Sequence, residues 1–155
     1  MSKAVKQPRV IAIASAGGHW IQLRRLRPAF EGSRVLWVTT KAGYRDEMAP
    51  GERFAVVPDA NRWNKFKLAY AAARLLLLVL KERPQVVVTT GAAPGYFAIR
   101  FGKMLGARTM WVDSIANADE LSMSGRLAMK TADEVLTQWE HIAEGTRPAY
   151  SGAVL

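Results

Sequence analysis

Six short apolar runs alternate along the chain with segments of helical spacing, and this alternation constrains the fold more than any other feature of the sequence. The runs are Arg9 to Ser15 (RVIAIAS), Arg34 to Thr40 (RVLWVTT), Arg53 to Pro58 (RFAVVP), Gln85 to Thr90 (QVVVTT), Ala107 to Asp113 (ARTMWVD) and Glu134 to Gln138 (EVLTQ). Rich in Val, Ile and Trp, each reads as a strand buried on both faces. Helical spacing follows in Trp20 to Phe30, Trp63 to Arg83, Tyr96 to Leu105 and Leu121 to Thr131. Such an order implies right-handed βαβ units and an α/β fold: a Rossmann-like parallel sheet with helices on both faces and strand order near 3-2-1-4-5-6. Ligands bind such sheets beyond the carboxyl ends of the strands. The loops to inspect are therefore Ala16 to His19, Gly91 to Gly95 and Asp113 to Glu120.

The chain has 155 residues, half of them apolar, and no Cys. A single domain of this size buries roughly two-thirds of its unfolded surface and needs no disulfide or structural zinc. With two scattered His and no Cys, no metal site is expected. The opening MSKAVKQPRV has no A-x-A cleavage pattern, so no signal peptide is expected. From Glu144 onward the Gly- and Pro-rich EGTRPAYSGAVL reads as an irregular tail.

The net charge of +9 is carried by the first half. Residues 1–83 hold 16 Lys and Arg against 6 Asp and Glu, whereas residues 84–155 hold 6 against 7. A field so lopsided points to an anionic partner such as a phospholipid surface or a phosphorylated ligand. The basic residues are spread over different elements with no nucleic-acid motif, so nucleic acid is not expected as a partner.

The segment Arg62 to Pro84 reads as a long helix, and its uninterrupted apolar stretch, Leu75 to Leu80, is too short to cross a bilayer, which needs about 20 residues. A helix apolar on all sides must be buried in protein or in lipid. Basic residues beside aromatics suit an in-plane membrane helix, with Trp63, Phe66, Lys67, Arg74, Leu75 and Leu78 as the contacts. The alternative is a greasy helix that only covers the sheet.

Ser15-Ala16-Gly17-Gly18-His19 follows the first strand and opens a helix. Two glycines there allow a tight turn and bring backbone N–H groups and the helix dipole close to an anion, for which phosphate or diphosphate is the natural guest. Neither G-x-G-x-x-G nor G-x-x-x-x-G-K-[ST] is present, and the second strand ends in Thr39-Thr40-Lys41 where a dinucleotide site wants an acid. His19, at the helix start, is a candidate general base or ligand donor. The loop Thr90-Gly91-Ala92-Ala93-Pro94-Gly95 faces the first across the switch point and suits a sugar or second phosphate. Asp113 and Ser114 close the fifth strand; Asp113 is a second candidate base, and Asp119 a candidate cap for the helix near Leu121.

The order SAGGHW, then VVVTTGAAPG, then WVDSIANADELSMSGRLAMKTADEVLTQW resembles the acceptor-side subunit of the two-chain GT-B glycosyltransferases. That family includes the membrane-anchoring subunit of the eukaryotic enzyme that adds the second N-acetylglucosamine to dolichol diphosphate. It also includes bacterial capsule and exopolysaccharide glucosyl-, galactosyl- and glucuronosyltransferase subunits. More distantly, the chain resembles the N-terminal half of the single-chain transferase that makes lipid II.

The resemblance spans roughly Arg9 to Trp139. It implies a peripheral subunit at the cytoplasmic face of the plasma membrane that holds a polyprenyl-diphosphate-linked sugar, while a separate glycosyltransferase chain binds the UDP-sugar. No cofactor is implied. On this reading Ser15, Gly17, Gly18, Thr90, Gly91, Pro94, Gly95 and Ser114 contact the acceptor or its diphosphate, and His19 or Asp113 is the base. Asp113 stands where many relatives have Glu, and Ser122, Ser124, Gly125 and Leu127 resemble the family's S-x-x-G-[KR]-L stretch. Two rivals are a non-catalytic module that recruits and activates a glycosyltransferase, and a dinucleotide-dependent oxidoreductase of degenerate fingerprint.

Overall fold

A computed structural model describes residues 6–154. Seven parallel strands form one sheet in the order β3-β2-β1-β4-β5-β6-β7. They are β1 (Arg9–Ala14), β2 (Arg34–Thr39), β3 (Arg53–Val56), β4 (Val86–Gly91), β5 (Arg108–Val112), β6 (Glu134–Thr137) and β7 (Ala149–Tyr150). The helices are α1 (Gly18–Arg25), α2 (Lys65–Glu82), α3 (Ala93–Met104) and α4 (Met123–Ala128), with short 3₁₀ turns at Arg27–Phe30, Ala42–Glu47 and Glu140–Ile142. The doubly wound α/β expectation holds, with the reversal of strand order between β1 and β4.

Alternate side chains of each strand serve opposite faces. Ile11, Ile13, Val87, Trp111 and Val135 meet Leu75 and Val79 of α2 and Ala98 and Ile99 of α3. Ala12, Ala14 and Trp37 meet Trp20 and Leu23 of α1, and Trp20 stacks on Tyr44 with ring centroids 5.3 Å apart. Beyond α1, this second face carries Val86, Val88, Met110, Val112 and Leu136, crossed by the extended segment Ser151–Val154.

Two expectations are corrected. The segment Arg53–Val56 is not buried on both faces: β3 is an edge strand whose residues stay partly or wholly exposed. The tail is not irregular throughout, since β7 adds a seventh strand beside β6. Arg147 ties it down by donating to the carbonyls of Met129, Ala132 and Asp133, which caps the end of the α4 region.

Asp133 joins α3 to β5. It pairs with Lys103, and its Oδ2 accepts from the amide of Thr109 at 2.9 Å and from the Thr109 hydroxyl at 3.0 Å. The hydrogen bond from Lys103 leads in holding its carboxyl below the usual aspartate range; partial burial opposes this, and the two Thr109 donors reinforce it. A carboxyl depressed in the folded state stabilises fully above its ordinary pKa, about 3.9, and loses that contribution as pH falls through the folded value. Asp133→Asn should therefore cost roughly 1 kcal/mol at pH 7. Urea unfolding should show wild type and variant converging as pH is taken below about 4.

Candidate functional site

The first, fourth and fifth strand loops converge. A cleft of about 220 Å³ at the carboxyl ends of β1, β4 and β5 is lined by His19, Gly91, Ala92, Trp111, Ser114, Ala116, Asn117, Ser122, Met123 and Ser124. A larger hollow of about 660 Å³ lies at the amino ends of β2 and β3, where Arg34 and Arg53 begin those strands. Several of its charges are already paired: Glu52 with Arg24 and Arg27, and Arg53 with Glu82. The cleft at the carboxyl ends is the site that parallel-sheet topology favours.

His19 is held from two directions. Its Nδ1 lies 2.8 Å from the Thr90 carbonyl, and its own carbonyl accepts from the Thr90 hydroxyl at 2.6 Å. A carbonyl can only accept, so Nδ1 carries a proton; in the neutral ring this makes Nε2 the nitrogen with the lone pair. Gly91 lies against the ring: a Cβ built there would sit 2.8 Å from His19 Cε1 and Nδ1, and its φ of +121° excludes ordinary side chains. Thr90 and Gly91 thus orient the histidine.

The glycine loop is built differently from the expected cradle. The amides of Ser15, Ala16 and Gly17 donate to the Gly91 carbonyl at 3.1 Å, Thr40 Oγ1 at 3.1 Å and Tyr44 Oη at 3.0 Å. Gly17, at φ +83°, makes the turn but in this structure does not offer its N–H. Among the described residues, the amides of Gly18 and His19 at the start of α1 have no protein acceptor and lie at least partly exposed, open to an anion. Thr40, from the segment where a dinucleotide site wants an acid, instead supports this loop.

Asp113 is not placed to act as a base. It is 1% exposed, and both oxygens are occupied. Oδ1 accepts from Trp111 Nε1 at 2.9 Å and the Ser122 hydroxyl at 2.6 Å, and Oδ2 from Asn117 Nδ2 at 3.1 Å and the Ser122 amide at 2.9 Å. Four donors make it a hub that pins the β5 loop to α4. Ser122, not Asp119, caps α4, accepting from the Gly125 amide at 2.9 Å.

Pro94 and Gly95 do not reach the cleft. Pro94 is buried in the first turn of α3, and a Cβ on Gly95 would lie 2.0 Å from Thr89 Oγ1, so that glycine allows α3 to approach β4. Ser114 does line the cleft. Asn117, from the loop singled out after the fifth strand, and Ser122, from the S-x-x-G-[KR]-L stretch, share the cleft; sequence reasoning missed Gln22, Tyr44 and Gln138, which support it. The period of α1 does place Gln22 one turn from His19, but a lone glutamine carries no chemical signature.

The α2 helix presents two apolar faces. Leu75, 1% exposed, packs in the core and Leu78 lies partly buried against it, so these two are corrected from lipid contact to sheet contact. The opposite side carries Phe66, Tyr70, Ala73, Leu77 and Leu80, all exposed, at alternating four- and three-residue steps that line up along one stripe. Lys67, Arg74 and Lys81, seven residues apart, run beside it. Phe66 is 90% exposed and Trp63 80%. Arg62 reaches from the cleft-side end of this helix to Met123 Sδ at 3.4 Å, joining the stripe to the cleft rim. No helix among the described residues is long and apolar enough to cross a membrane.

Fold and cleft together define a Rossmann-like domain of the kind that forms one half of a GT-B glycosyltransferase. The chain belongs to the family described as oligosaccharide biosynthesis protein Alg14 like, whose model matches residues 57–154, more than half of it. It is 26% identical over 171 aligned positions to the UDP-N-acetylglucosamine transferase subunit ALG14 of Eremothecium gossypii, covering 90% of this chain and 76% of that one. Among solved structures, Acinetobacter baumannii MurG superposes with a TM-score of 0.74 at 13% identity, covering 96% of this chain and 46% of MurG. A glycosyltransferase from Rickettsia africae superposes with a TM-score of 0.63 at 13% identity, covering 85% of this chain and 37% of that one. The chain thus spans less than half the length of these structures, and the likeness to them is one of fold. The family match bears out the resemblance drawn from the sequence motifs.

Gly91→Ala should displace the His19 ring. The expected result is loss of the slow-exchanging Nδ1 proton in NMR spectra, with stability lowered by about 1–3 kcal/mol from overpacking and a strained φ. Asp113→Asn, which turns one acceptor oxygen into a donor facing other donors, should lower unfolding stability by roughly 1–3 kcal/mol in the isolated chain, read by thermal melting.

Proposed function

We propose that this chain is the acceptor-binding, membrane-docking subunit of a two-chain UDP-sugar-dependent glycosyltransferase that extends a polyprenyl-diphosphate-linked sugar in surface-polysaccharide assembly. The observation that carries this reading is the His19 cleft. An imidazole with Nδ1 committed to a carbonyl and Nε2 free lies among neutral hydroxyl and amide groups at the carboxyl ends of the strands. That lining suits sugar hydroxyls, and the open amides of α1 suit the adjoining diphosphate. The relatives are named as transferase subunits, which supports a second chain as donor-binding partner.

In the proposed reaction, the acceptor hydroxyl attacks the anomeric carbon of the donor sugar while His19 Nε2 takes its proton. The bond to UDP breaks and its electrons leave with the diphosphate, whose charge the partner chain stabilises. The Thr90 carbonyl, hydrogen-bonded to Nδ1, stabilises the imidazolium that results. Docking follows from the outer face of α2: an apolar stripe with one cationic row beside it suits the anionic cytoplasmic face of the plasma membrane.

Co-expression with the candidate partner, followed by an assay of transfer from UDP-sugars to a polyprenyl-diphosphate sugar, tests the chemistry. His19→Ala should lower kcat about a hundredfold or more, and wild-type activity in that variant would remove the histidine from the mechanism. Full transfer by the partner alone would favour a recruiting module instead. For docking, the full chain should co-sediment with vesicles containing anionic phospholipid. Reversing Lys67, Arg74 and Lys81 to Glu should weaken that association about a hundredfold or more, at about 1 kcal/mol per lost cation near the surface.

A further inference from the structure

Two glutamines, Gln22 on α1 and Gln138 after β6, are buried against the loop that carries Ser114. Backbone groups of fixed polarity set how their amides point. The Val154 N–H can only donate, and Gln138 Oε1 accepts it at 2.7 Å; the Asp113 carbonyl can only accept, and Gln138 Nε2 donates to it at 2.9 Å. The same Nε2 donates to Gln22 Oε1, which also accepts the Ile115 amide at 3.1 Å. Gln22 must therefore turn its own Nε2 to Ser114 Oγ, 3.0 Å away, and Ser114 Oγ accepts the Ala116 amide as well, at 3.2 Å. With both lone pairs of the serine filled, its hydroxyl hydrogen alone is left for the cleft it lines.

The far end of this chain of bonds is weakly held. Among the described residues, its polar contacts are the Val154 amide on Gln138 and the Val154 carbonyl on the Arg25 guanidinium at 3.3 Å, and it crosses the sheet face beyond α1. A segment with so few contacts opens more readily than the strands below it.

We propose that the strap Ser151–Val154, acting through Gln138 and Gln22, fixes Ser114 as an obligatory hydrogen-bond donor in the His19 cleft, so that the cleft takes a ligand oxygen well only while the strap is seated. Without Val154, Gln138 keeps only the Asp113 carbonyl, and Gln22 only the Ile115 amide, as backbone anchors of fixed polarity, and the hold on Ser114 Oγ loosens. Gln22 and Gln138 are thus positioning residues. The ligand oxygen belongs to the acceptor sugar or its diphosphate; this part rests on the function proposed above.

Hydrogen exchange in the full chain tests the relay without any assay of transfer. Deleting residues 151–155, or substituting Gln138→Met, should accelerate exchange of the Ile115 and Ala116 amides about tenfold, while those of Ile11 to Ile13 in β1 stay unchanged and report an intact sheet. Unchanged exchange at Ile115 and Ala116 in the deleted chain overturns the relay. In the co-expressed complex, strap deletion should raise KM for the polyprenyl-diphosphate sugar about tenfold with little change in kcat, and should add nothing in a Ser114→Ala background. Additive effects of the two changes overturn Ser114 as the end point. A wild-type complex inert with every donor defeats the acceptor-site reading alone, and the exchange result then decides the relay.

Discussion

The reciprocal hydrogen bonds between His19 and Thr90 are the contact on which the site depends. They join the helix after β1 to the end of β4 at the point where strand order reverses, so the crevice that any doubly wound sheet offers is here closed across by one residue pair. Because the Thr90 carbonyl consumes the Nδ1 proton, the ring is left with one orientation and one tautomer. Gly91 then allows the imidazole to lie against the backbone. A packed α/β scaffold thereby gives a histidine of unremarkable sequence context a defined ring orientation at the edge of the cleft.

Around that pair the site separates chemistry from support. Asp113 stands at the correct end of the sheet for catalysis, yet its oxygens face four donors, and the result is a rigid bridge between the β5 loop and the Ser122 cap of α4. The residues that line the cleft include no carboxylate, lysine or arginine; positive potential comes from Arg62 at the rim and from the start of α1.

Much of the fold was legible because buried parallel strands read as short branched-apolar runs and the helices between them keep their period. Strand order and the position of the crevice followed from that reading, as did the loops that bring His19, Gly91 and Ser114 to its edge. Other features were hidden for physical reasons. A two-residue strand such as β7 has no period to detect, and what holds it is Arg147, whose carbonyl partners are set by tertiary packing. The roles of Asp113, Thr90 and Gly95 turn on which atoms face them, and spacing along the chain does not encode this. Leu75 and Phe66 sit in the same greasy helix but nine residues apart, about half a turn out of phase, so composition gave the face of α2 correctly only once angle was considered.

The two-sided character of α2 has a consequence for how substrate arrives. With its outer stripe lying in the headgroup layer, the Arg62–Met123 contact would hold the mouth of the cleft at the same depth, next to the lipid surface. A prenyl-linked acceptor would then need no extraction into water: its tail stays in the hydrocarbon while the sugar rotates upward into reach. On the function proposed above, capture would be a lateral search in two dimensions, governed by surface density of the lipid rather than by its vanishing aqueous concentration.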